Sequence, residues 1–433
     1  MILFMVADFP AVFISPLKGA FMGLFRGDSL KVLSWCGYDV GNSGFATTIM
    51  AAIYPVYFRE VAAHGLAPNL PMAYWAYASA LSLFLSAFFA PILGATADLK
   101  GSKKKMLALF TALGVTSTAL MALVGPGDWV LALLLMMGGT IGFSASMIFY
   151  DALLPSLVPP DRVPAVSSQG YALGYLGGGV LLALNLLFLR AFPGTAGARL
   201  SFLSVALWWT LFSIPLFLNV PEPAAEPEGK LLRGWNLFRE GIRRLLKTFG
   251  EIRTHRNAFL FLLAFWMYND GIGTIIKMAA IYGSALGIPM AHLVGSLLVT
   301  QFVGIPFSLA FGSLATRIGS KNAILTGLSF YVCITFAAIF VSKIWHFWAL
   351  AIAVGMVQGG TQAISRSFFA SMIPPGQNAE FFGFYDISSK FSGIIGPAVF
   401  GIVTQVTGSS KLAIAVLSYT FILGILILRK VRN

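Results

Sequence analysis

Residues 94–103 read GATADLKGSK, and residues 312–321 read GSLATRIGSK. Each stretch is predicted to form the loop after an apolar run, and each places a glycine, six residues and then Gly-Ser-Lys in the same order. Two further matches are separated by similar distances: MAAIY at 50–54 and at 278–282, and VPP at 158–160 with IPP at 373–375. Self-similarity at a roughly constant separation is typical of a duplicated architecture. The chain is therefore predicted to contain two copies of one helical design.

The composition places the chain in the membrane class. Of its 433 residues, 58% are hydrophobic and only 10% are charged, and the mean hydropathy is +0.82. Soluble domains are roughly a quarter charged. A soluble enzyme, a nucleic-acid binder and a secreted disulfide scaffold are all poor interpretations, and the two cysteines, Cys36 and Cys333, lie in apolar runs.

A helix needs about 20 mostly apolar residues to cross the hydrocarbon layer. Twelve such runs predict an all-α membrane protein with twelve transmembrane helices in two pseudo-symmetric six-helix halves. The expected spans are 32–58, 73–95, 105–124, 129–150, 166–190, 200–219, 258–282, 291–314, 322–342, 345–369, 382–406 and 410–430.

These spans define four parts of the chain. Residues 1–31 form an N-terminal cytoplasmic segment, residues 32–219 the first half and residues 258–433 the second half. Between them, residues 220–257 form a cytoplasmic linker. Apolar residues recur at spacings of three and four from Trp235 onwards, which predicts an amphipathic linker helix on the inner leaflet or against the protein's own spans.

The positive charges indicate the orientation. Lys and Arg number 29 against 16 Asp and Glu, a net charge of +13. Of the 29, 21 lie in the segments on one side of the twelve spans and 5 on the other. Because loops rich in Lys and Arg stay in the cytoplasm, both termini are predicted to be cytoplasmic, and a bacterial inner (plasma) membrane is the expected location. The excess of positive charge is therefore explained by the orientation of the chain in the membrane.

The stretch around Asp98 resembles the signature between spans 2 and 3 of the major facilitator superfamily: Gly94, Asp98, Lys100, Gly101 and the lysines after it. Other motifs resemble the vacuole effluxer-like, autophagy-related branch of that superfamily: WCGYDVGNSGFATTI at 35–49, FYDALLP at 149–155, GYALGYLGGG at 170–179, YNDG at 268–271, GTQAISRSFF at 360–369 and EFFGFYDISSK at 380–390.

This resemblance implies transport, with efflux of amino acids from vacuoles in the fungal members. It also implies that Asp98, together with Lys100, latches the inner gate by capping the cytoplasmic start of span 11. A carboxylate at a helix N-terminus is stabilised by the helix dipole. The second copy has Thr316 in place of the acid, so one latch should dominate.

Ionisable groups inside a bilayer are costly and are default functional candidates. Asp39, Asn42, Asn269 and Asp270 are the first choice for binding substrate or protons, with Lys277 two helical turns beyond Asp270. A carboxylate in a dehydrated cavity is a candidate proton carrier. The alternative is structural: an Asp270 to Lys277 ion pair, or asparagines that fix helix packing.

A second polar group, Arg366, Asp386 and Lys390, falls in the cytoplasmic third of spans 10 and 11 and predicts an inner gate of ion pairs. Three glutamines within the spans could bind substrate or join helices, and both interpretations stay open: Gln301, Gln358 and Gln362.

Other chemistry is not indicated. The four histidines are too scattered for a metal site. The phosphate-binding motif Gly-x4-Gly-Lys-Ser/Thr is absent from the sequence, which argues against transport driven directly by ATP. The prediction is a monomeric secondary transporter, not an enzyme, without cofactor or metal. Its partners are a small-molecule substrate, protons as coupling ion and membrane lipids, not nucleic acid. The alternatives are a lipid or drug exporter and a transporter-like sensor that does not transport.

Overall fold

The computed structural model describes residues 29–67, 70–223, 255–288, 290–374, 376–392 and 395–432, and isolated positions between 236 and 247. Throughout these residues the regular structure is helical, which confirms the all-α class. The N-terminal segment before residue 29 and most of the predicted linker helix lie outside the described residues.

In the continuously described parts of the chain there are fifteen α-helices: α1 (Leu30–Gly44), α2 (Tyr54–Tyr57), α3 (Leu70–Lys100), α4 (Lys103–Leu120), α5 (Trp129–Leu157), α6 (Val163–Ala191), α7 (Ala196–Asn219), α8 (Arg256–Ala285), α9 (Met290–Ile318), α10 (Ser320–Ala338), α11 (Ile344–Ala370), α12 (Asn378–Phe391), α13 (Ile395–Thr407), α14 (Ser410–Val416) and α15 (Ser418–Arg429). Two π-helical segments, Phe45–Ala52 and Phe58–Ala62, continue α1 and α2.

Ten helical stretches within the described residues are long and apolar enough to cross a membrane. Large apolar side chains such as Phe84, Phe88, Leu187 and Phe340 are more than half exposed on the outside of the protein. Exposed apolar area on this scale is expected where lipid, rather than water, is the solvent. The chain is therefore an integral membrane protein.

The two repeated stretches occupy helix ends, and our prediction that they form loops was wrong. Residues 94–100 are the last turns of α3, and residues 312–318 are the last turns of α9. Helical hydrogen bonding continues past the apolar run until a residue with positive φ ends it. Gly101 (φ +58°) and Gly319 (φ +85°) supply this conformation in both copies.

Two lysines that follow these glycines make equivalent contacts. Lys104 Nζ donates to the carbonyls of Phe217 (3.0 Å) and Val220, just where α7 ends. Lys321 Nζ donates to the carbonyls of Arg429 (3.0 Å) and Val431, just where α15 ends. A cation beside the free carbonyls of a helix C-terminus is favourable. In both copies, a lysine in the first turn of the next helix therefore contacts the end of the last helix, although Lys104 stands one position beyond the lysine that the repeat aligns with Lys321.

The N-terminal helices (residues 30–219) and the C-terminal helices (residues 256–429) are in contact along two lines. Along one, α6 packs against α9 and α11; along the other, at the end of the molecule that carries Asp98, α12 packs against α3 and α5. A Cβ added at Gly94 would lie 2.1 Å from the carbonyl oxygen of Ala379, and one at Gly383 would lie 2.6 Å from Cα of Pro91. These glycines bring the two backbones into contact.

Gly94→Ala is expected to prevent this close approach, because the added methyl overlaps backbone atoms that cannot move aside. Overpacking of this kind costs about 1–3 kcal/mol. We expect the midpoint of thermal unfolding in detergent to fall by several degrees. The matched control is Gly401→Ala, where an added Cβ meets nothing within 4 Å. Equal midpoints for the two variants would show that the contact at Gly94 does not stabilise the fold.

Candidate functional site

A single arginine of the C-terminal helices is buried among N-terminal helices. Arg366 of α11 is 1% exposed, and its Nη1 lies 3.0 Å from Asp151 Oδ1 and 3.6 Å from Asp39 Oδ2. The rest of the guanidinium donates to Ser167: Nε to Oγ and Nη2 to the backbone carbonyl, both at 2.9 Å. Thus α1, α5 and α6 all hold one side chain from α11. We call these residues the Arg366 cluster: Asp39, Asp151, Ser167 and Arg366.

Aromatic rings enclose the same guanidinium. Its central carbon lies 4.6 Å from the ring centre of Tyr171, 5.0 Å from that of Trp35 and 5.6 Å from that of Tyr150. Trp35 and Tyr150 are stacked on each other at 4.3 Å. Cation–π attraction is stronger where water is excluded. The rings therefore favour a cation at this position in addition to the two carboxylates.

Asp39 is fixed from several sides. The Tyr150 hydroxyl donates to its Oδ2 at 2.8 Å, and Asn42 Nδ2 donates to its Oδ1 at 3.4 Å. Asn42 Nδ2 also lies 3.2 Å from the sulfur of Met147. The predicted residues Asp39 and Asn42 therefore contact each other, and both also contact side chains of α5.

Asp151 and Ser167 are functional candidates that the sequence prediction missed. The predicted span 129–150 stopped one residue before Asp151, so this carboxylate was not counted as an ionisable group in the membrane. Helix α5 in fact continues to Leu157, and Asp151 is buried. The FYDALLP stretch was the only sequence signal for it. Ser167 gave no signal, because a serine in an apolar helix is unremarkable.

The predicted gate of Arg366, Asp386 and Lys390 is divided by the structure. Lys390 Nζ pairs with Asp386 Oδ1 at 3.3 Å along one face of α12. Arg366 instead pairs with Asp39 and Asp151 of the other set of helices. Spacing along a helix predicted the local pair of Asp386 and Lys390, but it carries no information about the partners of Arg366 on distant helices. That these ion pairs form an inner gate stays a prediction.

Asp98 makes two contacts at the close approach of α3 and α12. Its Oδ2 accepts the backbone N–H of Glu380 at 2.8 Å, in the first turn of α12, and its Oδ1 lies 2.7 Å from Lys103 Nζ. Both Asp98 and Lys103 are almost fully buried. Lys100 is exposed at the last position of α3. Lys103, rather than Lys100, is the basic partner in this structure.

Asn269 and Asp270 of α8 contact a different part of the molecule from Asp39. Asn269 Nδ2 donates to Ser392 Oγ at 2.7 Å. Asp270 is 1% exposed, and its Oδ2 would lie 2.7 Å from a Cβ added at Gly396. Both therefore lie near the junction of α12 and α13. Lys277 belongs to α8, but its side chain lies outside the described part of the structure.

Two of the three glutamines share a cavity. Gln301 and Gln358 line a space of about 110 Å³ between α8, α9, α10, α11 and α14, whose walls are mainly aliphatic and aromatic. Gln362, one turn beyond Gln358, is half-buried. A mostly apolar cavity with a few polar groups is the usual form of a small-molecule site.

Comparisons with known proteins place the chain in a family. The sequence profile of the family described as "Vacuole effluxer Atg22 like" matches residues 71–432. The chain belongs to this family. The uncharacterized MFS-type transporter YxiO of Bacillus subtilis is 39% identical over 406 residues, which cover 91% of this chain and 93% of the relative. Autophagy-related protein 22-2 of Aspergillus clavatus is 30% identical over 279 residues, which cover 58% of this chain and 45% of that protein.

Solved structures agree on the fold. The human organic anion transporter MFSD10 superimposes with a TM-score of 0.73 at 15% identity, over 92% of this chain and 98% of that one. Together with the family match and the MFS-type relative of Bacillus subtilis, this identifies the chain as an MFS-type transporter. The structure adds a description of its polar interior: the Arg366 cluster and the Asp98 contacts both join the N-terminal helices to the C-terminal ones.

Proposed function

We propose that this Atg22-like protein has twelve transmembrane helices in two six-helix halves and works by alternating access as a proton-coupled exporter of amino acids or similar small metabolites. In this proposal π-helical Phe45–Ala52 belongs to the first span with α1 and α2, and α12 with α13 forms the eleventh. The equivalent lysine contacts at the ends of α7 and α15 support two related halves. In such folds the two halves rock about a central site.

The observation that carries the proposal is the Arg366 cluster, because it joins the halves through charged groups that are buried among the helices, and ionisable groups within membrane helices are usually functional. An ion cluster of this kind can exist in one state of a rocking transporter and be broken in the other. It therefore supports two discrete arrangements of the halves rather than a rigid assembly.

The close approach at Asp98 supports the assignment of the conformation. The positive-inside rule puts Lys103 and Lys104 in the cytoplasm. The contacts of Gly94 and Gly383, the Asp98 contacts and the Arg366 cluster then close the cytoplasmic side, so this conformation is the one closed to the cytoplasm. In this topology both termini lie inside a bacterial plasma membrane.

Opening toward the cytoplasm would separate α12 from α3 and withdraw Arg366 from α1 and α5. Asp39 and Asp151 would then face the cytoplasm, where cargo for export is loaded. The remaining polar groups that could contact cargo or protons along the path are Asn42, Asn269, Asp270, Gln301 and Gln358. Efflux is supported by the family's description as vacuole effluxers, and amino-acid cargo is the expectation that the sequence resemblance implies.

Transport along a proton gradient tests this proposal. The purified protein is reconstituted in proteoliposomes, a pH gradient is imposed, and uptake of radiolabelled neutral and cationic amino acids is followed. We expect at least one amino acid to accumulate against its own gradient, and a protonophore to abolish this accumulation. Accumulation without a pH gradient would contradict proton coupling. Failure of every amino acid to move would contradict the cargo.

Asp270→Asn tests one carboxylate as the proton carrier. Asparagine keeps the shape of the buried side chain but cannot take up and release a proton. We therefore expect the variant to keep amino-acid exchange and to lose accumulation driven by the pH gradient. Asp161→Asn, at an exposed position between α5 and α6, is the matched control and should retain both. Normal accumulation by Asp270→Asn would remove Asp270 from the coupling mechanism.

A further inference from the structure

The ion-pair, hydrogen-bond and ring contacts of the Arg366 guanidinium given above are all made by the other half of the protein. Its acidic partners lie on α1 and α5, its serine lies on α6, and its three rings belong to the same helices. From α11 come the guanidinium and the Ala363 carbonyl, which accepts the hydroxyl of Ser167. The N-terminal half therefore carries a guanidinium site that an intramolecular side chain occupies in this conformation.

The fit of the site to a guanidinium is detailed. A guanidinium carries five N–H donors in a plane and no acceptor. Here each of its three nitrogens has an acceptor or anionic oxygen within 3.0 Å: Nε and Nη2 contact Ser167, and Nη1 contacts Asp151. The rings of Trp35, Tyr150 and Tyr171 lie around the plane. Charge-assisted hydrogen bonds with aromatic enclosure are the combination that distinguishes a guanidinium from a neutral group.

A glycine leaves the space that the cation occupies. A Cβ added at Gly170 would lie 3.2 Å from Arg366 Nη2, 2.8 Å from Asp39 Oδ2 and 3.0 Å from the ring of Trp35. Any side chain there would crowd the cation and its carboxylate together. The backbone of α6 is thus shaped around a guanidinium-sized group.

When the cytoplasmic side opens, Arg366 moves away with α11, but Asp39 and Asp151 remain in the N-terminal half with their rings. Two neighbouring carboxylates then face the cytoplasm without their cation, and because like charges close together repel each other, a cation that binds between them is favoured. We infer that in this open state the site binds the guanidinium of a small cargo molecule, such as free arginine, which takes the place of Arg366.

This inference rests on the proposed function, since the site becomes accessible only if the halves separate at the cytoplasmic side. It narrows the cargo to molecules that carry a guanidinium group. It also gives Arg366 a second role, because the returning side chain competes with bound cargo and helps to expel it as the cytoplasmic side closes.

Ligand stabilisation of Arg366→Ala tests the site in the purified full-length protein, because this variant leaves the site without its intramolecular cation. Thermal unfolding is measured with arginine, with agmatine, which lacks the carboxylate, and with citrulline, in which a neutral urea replaces the guanidinium. A ligand that binds the folded state raises the unfolding temperature. We expect arginine and agmatine to raise it by several degrees and citrulline to have little effect. The additional change Asp151→Asn should abolish the effect, whereas Asp161→Asn should not.

Equal stabilisation by citrulline, or no stabilisation of a folded Arg366→Ala by any of the three, would overturn the inference. Should that variant fail to fold, the same ligands are compared as competitors of amino-acid exchange by the wild type. There arginine should compete at least about tenfold more strongly than citrulline, which corresponds to about 1.4 kcal/mol. Equal competition would again overturn the inference.

The two proposals fail in different ways. Exchange of neutral amino acids that arginine neither joins nor inhibits would overturn the guanidinium site and leave amino-acid transport standing. Stabilisation of Arg366→Ala by arginine, in a protein whose proteoliposomes exchange no amino acid, would support the site and overturn the proposed transport.

Discussion

Arg366→Ala is expected to abolish amino-acid exchange in proteoliposomes and to lower the stability of the protein. The change leaves Asp39 and Asp151 buried without the cation that contacts both. Removing one member of a buried ion cluster typically costs about 3–5 kcal/mol. The measurements are the initial rate of exchange and the midpoint of thermal unfolding in detergent, each compared with the wild type.

Two further variants show whether the effect is specific to the guanidinium of Arg366. Arg366→Lys keeps the charge but loses the planar donor set, so it should retain stability better than Arg366→Ala while still exchanging slowly. Arg317→Ala removes an exposed arginine at the end of α9 and should behave as wild type. If Arg366→Ala exchanged amino acids at the wild-type rate, the cluster would have no part in the transport cycle.

Asp98→Ala is expected to shift the protein toward the conformation that is open to the cytoplasm. It removes the acceptor of the Glu380 N–H and leaves Lys103 buried without its carboxylate. An unsatisfied buried group costs about 1–3 kcal/mol, which corresponds to a change of about 5- to 150-fold in the ratio of two states. Spin labels at residues 161 and 317 would report the distance between the two halves, because these positions are exposed on opposite halves near the Asp98 end. The labels are attached to a protein in which Cys36 and Cys333 are replaced by serine.

We expect the fraction of long distances between the two labels to rise in Asp98→Ala. The matched control is the equivalent position of the second repeat. Thr316 is exposed, and its hydroxyl donates to the carbonyl of Ser313 in its own helix, so Thr316→Ala should leave the distances unchanged. Identical distance distributions for Asp98→Ala and the wild type would show that Asp98 is no latch.

Much of the fold could be predicted because lipid imposes a strong pattern on a sequence. Apolar runs of about 20 residues located the helices, and a repeated GSK stretch indicated duplication. Helix ends were less predictable, because hydropathy marks the edge of the membrane and not the last hydrogen-bonded turn. This is why the prediction placed residues 94–100 in a loop, although they are helical as far as the turn at Gly101.

The candidate site was predicted in part. Asp39 and Arg366 were identified because a charge inside an apolar run is conspicuous, yet their pairing joins residues more than 300 positions apart. Asp151 was missed through the same error at a helix end. The aromatic residues Trp35, Tyr150 and Tyr171 lie in three of the motifs quoted above, but nothing in the sequence indicated that their rings enclose Arg366.

Exchange across a membrane tests the central claim most directly, because it needs no knowledge of the driving ion. Proteoliposomes preloaded with a mixture of unlabelled neutral and cationic amino acids are diluted into labelled ones, and uptake of label is compared for wild type, Asp151→Asn and Asp161→Asn. We predict saturable uptake by the wild type and by Asp161→Asn. Uptake by Asp151→Asn should be at least about tenfold slower, because a lost charge-assisted contact is worth about 1.5–3 kcal/mol. No uptake of any amino acid by well-folded wild-type protein would contradict it.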